Sequence, residues 1–283
     1  MPESGLSVEI VIPSYNRLNI LKDTIYKIRQ LYPAVGICLG LQGDMPDDEL
    51  QAQFESDPNL RIEKLPEPGT TRALNRCIFS SAADIALSLD DDAYPVHGWI
   101  EAHVSAFMKD PELVYTSGRV IELTKRRPMI SDLARIMAES VFGLFMGKDK
   151  KIDGRIVGWV NRFGLLFGNF DKPGTCRINS PREGNMGIRR EIFQKTGGFD
   201  NAFRGNAAFF GADFGLRMAK EGIYGLYIGD AIIIHHEFPS GGSREAGKAQ
   251  WLRDYIFNHK LFIKHLGSQA WIGSIPRLLK RLF

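Results

Sequence analysis

Apolar runs and amphipathic stretches alternate through residues 8–89. Val8 to Ile12 is a β-branched run stopped by Pro13, which predicts a buried strand. Leu18, Leu21, Ile25 and Ile28 then fall at 3-4-3 spacing and predict an amphipathic helix closed by Pro33. Val35 to Leu41 predicts a second strand, ending in the polar turn Gln42-Gly43-Asp44, and the acidic stretch 47–55 reads as a short helix. A third strand over Arg61 to Leu65 leads into the turn Pro66-Glu67-Pro68-Gly69. A helix from Thr70 to Ala83 follows, with Ala73, Leu74, Cys77 and Ile78 inward, and then an apolar strand, Ile85 to Leu89. Strands alternating with helices at this spacing predict an α/β fold, a mostly parallel sheet flanked by helices. Such sheets bind ligands beyond the carboxyl ends of their strands. Those ends carry Pro13-Ser14-Tyr15-Asn16, then Gln42-Gly43-Asp44, then Asp90-Asp91-Asp92, so three polar groups are expected on one edge.

Regularity breaks over 125–180, where Lys125, Arg126, Arg127, Lys148, Lys150 and Lys151 alternate with glycine-rich apolar patches. Long irregular segments in compact domains are usually lids or binding loops, and this one is expected to be an acceptor or lid insertion. Pattern returns at Gly184-Asn185-Met186, followed by a helix around Ile192, a helix from Phe214 to Ala219, and strands from Tyr224 to Ile234 that run into His235-His236. The next segment, Pro239-Ser-Gly-Gly-Ser-Arg244, is a loop whose cation suits a phosphate. Residues 1–245 are expected to form one domain and 246–283 a helical basic extension. From Tyr255 to Phe283 there is no acid, and Ile275, Leu278, Leu279 and Leu282 share one helical face opposite Arg277, Lys280 and Arg281. That segment suits either an anionic membrane surface, which it is too short to cross, or docking on the domain.

The 283 residues are 44% apolar and 24% charged, ordinary for a globular chain, and a net charge of +3 does not argue for nucleic acid. Cys38, Cys77 and Cys176 are dispersed, with no CxxC pair, which fits a reducing compartment and gives neither a disulfide framework nor a zinc site. With no signal-peptide pattern and no long apolar span, the expected location is cytoplasmic, with contact at the inner face of the membrane.

Three adjacent carboxylates at the mouth of a buried strand are the chief chemical feature. Strand alternation aims Asp90 and Asp92 to one side and Asp91 to the other. Carboxylate oxygens are hard ligands for Mg²⁺ or Mn²⁺, and a metal held by few carboxylates is usually shared with substrate phosphates. A solvated acidic turn is the alternative. His235 and His236 point to opposite faces of their strand, so one can reach a metal while the other packs.

The ordered pieces Val8-Glu-Ile-Val-Ile-Pro-Ser-Tyr-Asn-Arg17, Arg72-Ala-Leu-Asn75, Leu89-Asp-Asp-Asp92, Gly184-Asn-Met186, Gly197-Gly-Phe-Asp200, Asp213-Phe-Gly-Leu-Arg217 and His235-His236 resemble family 2 glycosyltransferases. The resemblance implies a GT-A nucleotide-diphospho-sugar transferase fold and inverting sugar transfer to a hydroxyl acceptor, a cell-surface glycan or lipid-linked saccharide. It implies Asp92 as the direct metal ligand and Asp90 nearer the nucleotide, with a histidine of the last strand close to the metal or diphosphate. Pro13, Ser14, Tyr15, Arg17, Arg72, Asn75, Asp91 and Arg244 are expected around the nucleotide-sugar, and Gly184, Asn185 and Met186 against the acceptor.

Two departures stand out. The second strand offers Gln42 and Asp44 where the family carries an earlier acid that reads the base; Gln42 has both a donor and an acceptor for that task. The family's acidic pair before the Asp213 position is replaced by Phe210-Gly211, which cannot accept a proton, leaving Asp213 as the expected general base. Two alternatives follow, a degenerate nucleotide-sugar binder and a sugar nucleotidyltransferase. The second is disfavoured because Pro13-Ser-Tyr-Asn-Arg17 lacks a glycine-rich loop.

Overall fold

A computed structural model of the chain describes residues 5–43, 52, 54, 56–123, 137, 139, 141, 147–205, 207–236 and 247–267. The stretch 47–55 lies largely outside them, as do Asp44, Lys125 to Arg127, Arg244 and the segment 275–283.

The predicted alternation is present. Strand β1 (Val8–Tyr15) leads to α1 (Leu18–Leu31), β2 (Gly36–Gln42), β3 (Leu60–Leu65), α2 (Thr70–Ser80) and β4 (Ile85–Leu89). These four strands are mutually parallel in the order β4-β1-β2-β3. Strand β4 is buried at all five positions, as expected of a strand covered by helices on both faces. After it come β5 (Ala93–Pro95), α3 (Trp99–Lys109) and β6 (Tyr115–Glu122).

Residues 147–178 form two small ribbons, β7 (Lys151–Ile152) with β8 (Arg155–Ile156) and β9 (Trp159–Val160) with β10 (Leu166–Phe167), then β11 (Thr175–Ile178). Strand β12 (Asn185–Arg189) inserts antiparallel between β4 and β6, and β13 (Gly225–His235) runs parallel to β6. The helices α4 (Arg190–Lys195) and α5 (Phe210–Lys220) lie between β12 and β13, and α6 (Gly247–Leu266) follows. The full nine-stranded sheet reads β11-β13-β6-β12-β4-β1-β2-β3, with β5 paired to β13.

Two apolar layers cover the sheet. One gathers Leu74, Cys77 and Ile78 of α2 with Phe193, Phe199, Phe210 and Phe214. The other gathers Leu21, Ile25 and Ile28 of α1 with Trp99, Val104 and Phe107 of α3. The helix α6 joins the first layer through Phe262 and Ile263. Phe262 also stacks on Phe209 with ring centroids 5.3 Å apart. Phe209 itself sits at a left-handed φ of 77°, an uncommon conformation for a bulky residue, braced by Tyr255, His259 and Phe262. All three cysteines are buried free thiols. Among the described residues no helix is long and apolar enough to cross a membrane.

Candidate active site

Strand β4 ends at Leu89, and the next three carboxylates diverge as alternation requires. Asp90 and Asp92 turn toward the end of β13, where His235 Nε2 lies 3.1 Å from Asp92 Oδ1 and 3.9 Å from Asp90 Oδ2. One ligand atom from each of Asp90, Asp92 and His235 falls within 4.8 Å of the others, and no second such group occurs among the described residues. The register of the parallel pair β6–β13 puts Glu122 opposite His235, and Glu122 Oε2 holds the imidazole Nδ1 at 2.6 Å.

Burial alone would lower the His235 pKa, but the hydrogen bonds of Asp92 and Glu122 and the charge of Asp90 outweigh it and raise it to about 10. Desolvation and the neighbouring Asp92 push the Asp90 carboxyl up. At Asp92 desolvation also pushes up, yet His235 and Arg17 prevail and hold the group below its ordinary value. Two carboxylates and one imidazole, its far nitrogen oriented by a third carboxylate, are a donor set that fits a divalent ion.

Asp91 points the other way, into the protein. Its carboxylate accepts a 2.7 Å hydrogen bond from Ser14 Oγ and a 3.0 Å bond from Arg17 NH1, while its carbonyl accepts from Thr24 Oγ1 at 2.7 Å. The same guanidinium nitrogen reaches Asp92 Oδ2 at 2.9 Å. Burial drives the Asp91 pKa up to about 6 against these partners. Ser14, Arg17 and Asp91, expected around the nucleotide-sugar, therefore form a brace that ties β1 to the acid loop. Pro13 and Tyr15 are partly buried at the end of β1, beside β2.

Several other expected contacts are placed differently. Gln42, expected at the base, is buried, and its Oε1 accepts the Gly69 N–H at 2.5 Å, capping the start of α2. Arg72 folds back on its own turn, toward Glu67 and the Pro68 carbonyl. Asn75 is buried and clamps the loop after α4, donating to Phe199 O and Asn201 Oδ1 at 2.8 Å and accepting from Phe199 N at 2.9 Å. His236 turns from the acids to Tyr94, with ring centroids 5.7 Å apart, so His235 alone of the pair joins the expected metal ligands.

Asn185 and Met186, expected against the acceptor, are fully buried. The Asn185 amide oxygen accepts from Trp99 Nε1 at 2.8 Å and lies 3.1 Å from His103 Nε2, while its nitrogen donates to the carbonyls of Arg119 and Ala231 at 2.9 Å. Gly184 is pressed against Asp90, whose carboxylate occupies the space a Cβ would need.

Asp213, the expected base, is 1% exposed, and both its oxygens are committed. Oδ2 pairs with Arg217 Nε at 3.2 Å, and Oδ1 accepts from His265 Nδ1 of α6 at 2.7 Å. A carboxylate held by the Arg217 guanidinium and the His265 imidazole and shielded from solvent is a poor proton acceptor for a diffusing substrate. The sequence reading missed two acids. Glu122 is found only through the β6–β13 register, and Glu183 only through the antiparallel pairing that sets Asn185 opposite Leu89. Surrounding protein desolvates Glu183 and raises its pKa, the Asp90 charge adding to the effect while Arg182 and the Gly211 N–H oppose it.

The mixed sheet, with carboxylates at the end of a central parallel strand, has the fold of GT-A glycosyltransferases, as the following structural likenesses show. The structure is similar to that of GalNAc-T7 with UDP, GalNAc and Mn²⁺, at a TM-score of 0.60 and 14% identity, over 96% of this chain and 54% of that one. It is also similar to the mannosyltransferase PcManGT from Pyrobaculum calidifontis in complex with GDP-Man and Mn²⁺, at a TM-score of 0.58 and 14% identity, over 100% of this chain and 71% of that one. The chain thus spans about half the length of the first of these proteins. No curated protein matches it in sequence. Residues 9–197 match the model of glycosyl transferase family 2, and the chain belongs to that family of glycosyltransferase enzymes.

Proposed function

We propose that this glycosyltransferase moves a sugar from a nucleoside diphosphate donor to a hydroxyl of a glycan or lipid-linked saccharide, with inversion and with a divalent ion, Mg²⁺ or Mn²⁺. The observation that carries the reading is the convergence of Asp90, Asp92 and His235, backed by Glu122, at the carboxyl end of β4. The proteins named above bind UDP or GDP-Man together with Mn²⁺, which supports a nucleotide-sugar donor and a metal here.

Asp90, Asp92 and His235 would hold the ion, which when bound supplies positive charge against the departing diphosphate. Arg17 fixes Asp92 from behind, and Glu122 fixes the His235 ring, so the ligand atoms are preorganised and little ordering is left for donor binding. Gly184, just before β12, lets the backbone close on Asp90.

Calorimetry with UDP and GDP, each with and without Mn²⁺, tests the reading. The wild-type protein should bind one of the two with Mn²⁺, and Asp90→Asn should weaken that binding at least about tenfold, the scale on which metal-site changes act. Asp90 is the better probe because its side chain is 40% exposed, whereas Asp92, at 8%, also holds Arg17. Equal affinity with and without Mn²⁺, in wild type and variant alike, would remove the metal from the proposal.

The basic amphipathic segment 275–283 motivates a second part, contact with the anionic inner face of a membrane near a lipid-linked acceptor. Deleting 275–283 should abolish sedimentation with phosphatidylglycerol vesicles and leave the melting temperature unchanged. Loss of several degrees in a protein that never bound vesicles would assign the segment to packing instead.

A further inference from the structure

We propose that Glu183 is the general base of this enzyme, a carboxylate moved from the start of α5 to the loop before β12. The proposal rests on the transferase reading above and adds the group that takes the acceptor's proton.

The first two residues of α5, Phe210 and Gly211, stand where an acidic pair is expected, and the structure shows what each does instead. Phe210 is turned into the core, where its ring meets Phe199 edge-on with centroids 4.9 Å apart. Gly211 leaves a gap on the opposite side, and Glu183 fills it. A Cβ on Gly211 would lie 2.5 Å from Glu183 Cγ and 2.8 Å from both Cδ and Oε1. A side chain at 211 would collide with Glu183 in this position, so the Glu183 carboxylate occupies the space beside the start of α5.

The local geometry holds Glu183 ready for proton transfer. Its Oε1 accepts the Gly211 N–H at 3.1 Å, where the positive end of α5 steadies a carboxylate. Its carbonyl accepts from Ser88 Oγ of β4 at 2.8 Å, which fixes the backbone against the strand that delivers the acids. The neighbouring Gly184 abuts Asp90, which sets Glu183 next to the acids at the end of β4. Asp213 cannot compete, since Arg217 and His265 occupy it.

In the reaction, an acceptor hydroxyl oxygen attacks the anomeric carbon and forms the new C–O bond. The bond from that carbon to the diphosphate oxygen breaks, and its electron pair leaves with the nucleoside diphosphate. The hydroxyl proton passes to the Glu183 carboxylate and from there to solvent. Water can take the acceptor's place, so slow donor hydrolysis reports on the same base.

The test measures two quantities on the wild type, Glu183→Gln and the double variant Glu183→Ala with Gly211→Glu. Binding of UDP and GDP with Mn²⁺ is followed by calorimetry. Release of nucleoside diphosphate from UDP-glucose, UDP-GlcNAc, UDP-GalNAc and GDP-mannose is followed with water or simple glycosides as acceptor. Glutamine keeps the acceptor for Gly211 N–H, so binding and melting temperature should be unchanged while release falls at least about 100-fold, the scale of general-base assistance. The double variant returns a carboxylate from the helix side and should recover at least a tenth of the wild-type rate. Release by Glu183→Gln at the wild-type rate overturns the proposal, as does a wild type that binds nucleotide but releases none from any donor. A wild type that binds neither nucleotide overturns the donor assignment itself, and the base assignment with it.

Discussion

Replacing Asn185 with alanine is expected to lower the free energy of unfolding by at least about 4 kcal/mol. One carboxamide serves four buried groups: the Trp99 indole N–H, the His103 ring and the carbonyls of Arg119 and Ala231. Each buried group left without a partner costs about 1–3 kcal/mol. The four belong to α3, β6 and β13, so the loss is felt across the centre of the sheet. His103 deepens the effect. It is fully buried, and burial lowers its pKa to about 4 despite the Asn185 hydrogen bond. The ring is therefore neutral and needs a neutral polar partner, which alanine does not supply. Denaturant unfolding of the variant checks this. A loss below about 1 kcal/mol would mean that water replaces the amide, which the tight packing around Gly118 and Asn185 does not favour.

Substitution of Asp213 by alanine should cost about 3 kcal/mol of stability, the low end for breaking a buried ion pair. The low end applies because Arg217 and His265 are 29% and 31% exposed and rehydrate once released. For a chain of this size that is a fall in melting temperature on the order of 10 °C. Because Asp213 joins α5 to α6, proteolysis should find the α6 segment first. Nucleotide binding by the protein that remains folded should be unaffected. A variant with wild-type stability and turnover lowered a hundredfold would instead return the role of base to Asp213.

These residues show where sequence legibility stops. Patterns with a local cause were readable. The β-branched run at Val8–Ile12, the 3-4-3 spacing of Leu18 to Ile28 and the inward face of Ala73 to Ile78 correspond to β1, α1 and α2. Divergence of Asp91 from Asp90 and Asp92 followed from strand alternation alone. What local spacing does not supply is the partner of a polar side chain. Ser14, Asn75, Asn185 and Asp213 stand in family-like motifs and Gln42 at a departure from them, and all have partners 27 to 126 residues away in sequence or, for Asp213, also Arg217 of its own helix. A motif identifies a residue type at a position; it does not reveal which neighbour reaches that residue first.

By itself, then, the sequence determined the alternation of strands and helices, the parallel half of the sheet, the edge on which the acids emerge and the family. Each of these depends on periodicity or on residues close along the chain. Only the tertiary structure decided that His235 rather than His236 joins Asp90 and Asp92, that Glu122 stands behind it, and that Glu183 fills the gap at Gly211. Those three facts come from the pairing of β6 with β13 and of β12 with β4, contacts between residues 96 to 113 apart in sequence. Strand pairing across such distances is set by how whole apolar faces pack, and no local spacing encodes it.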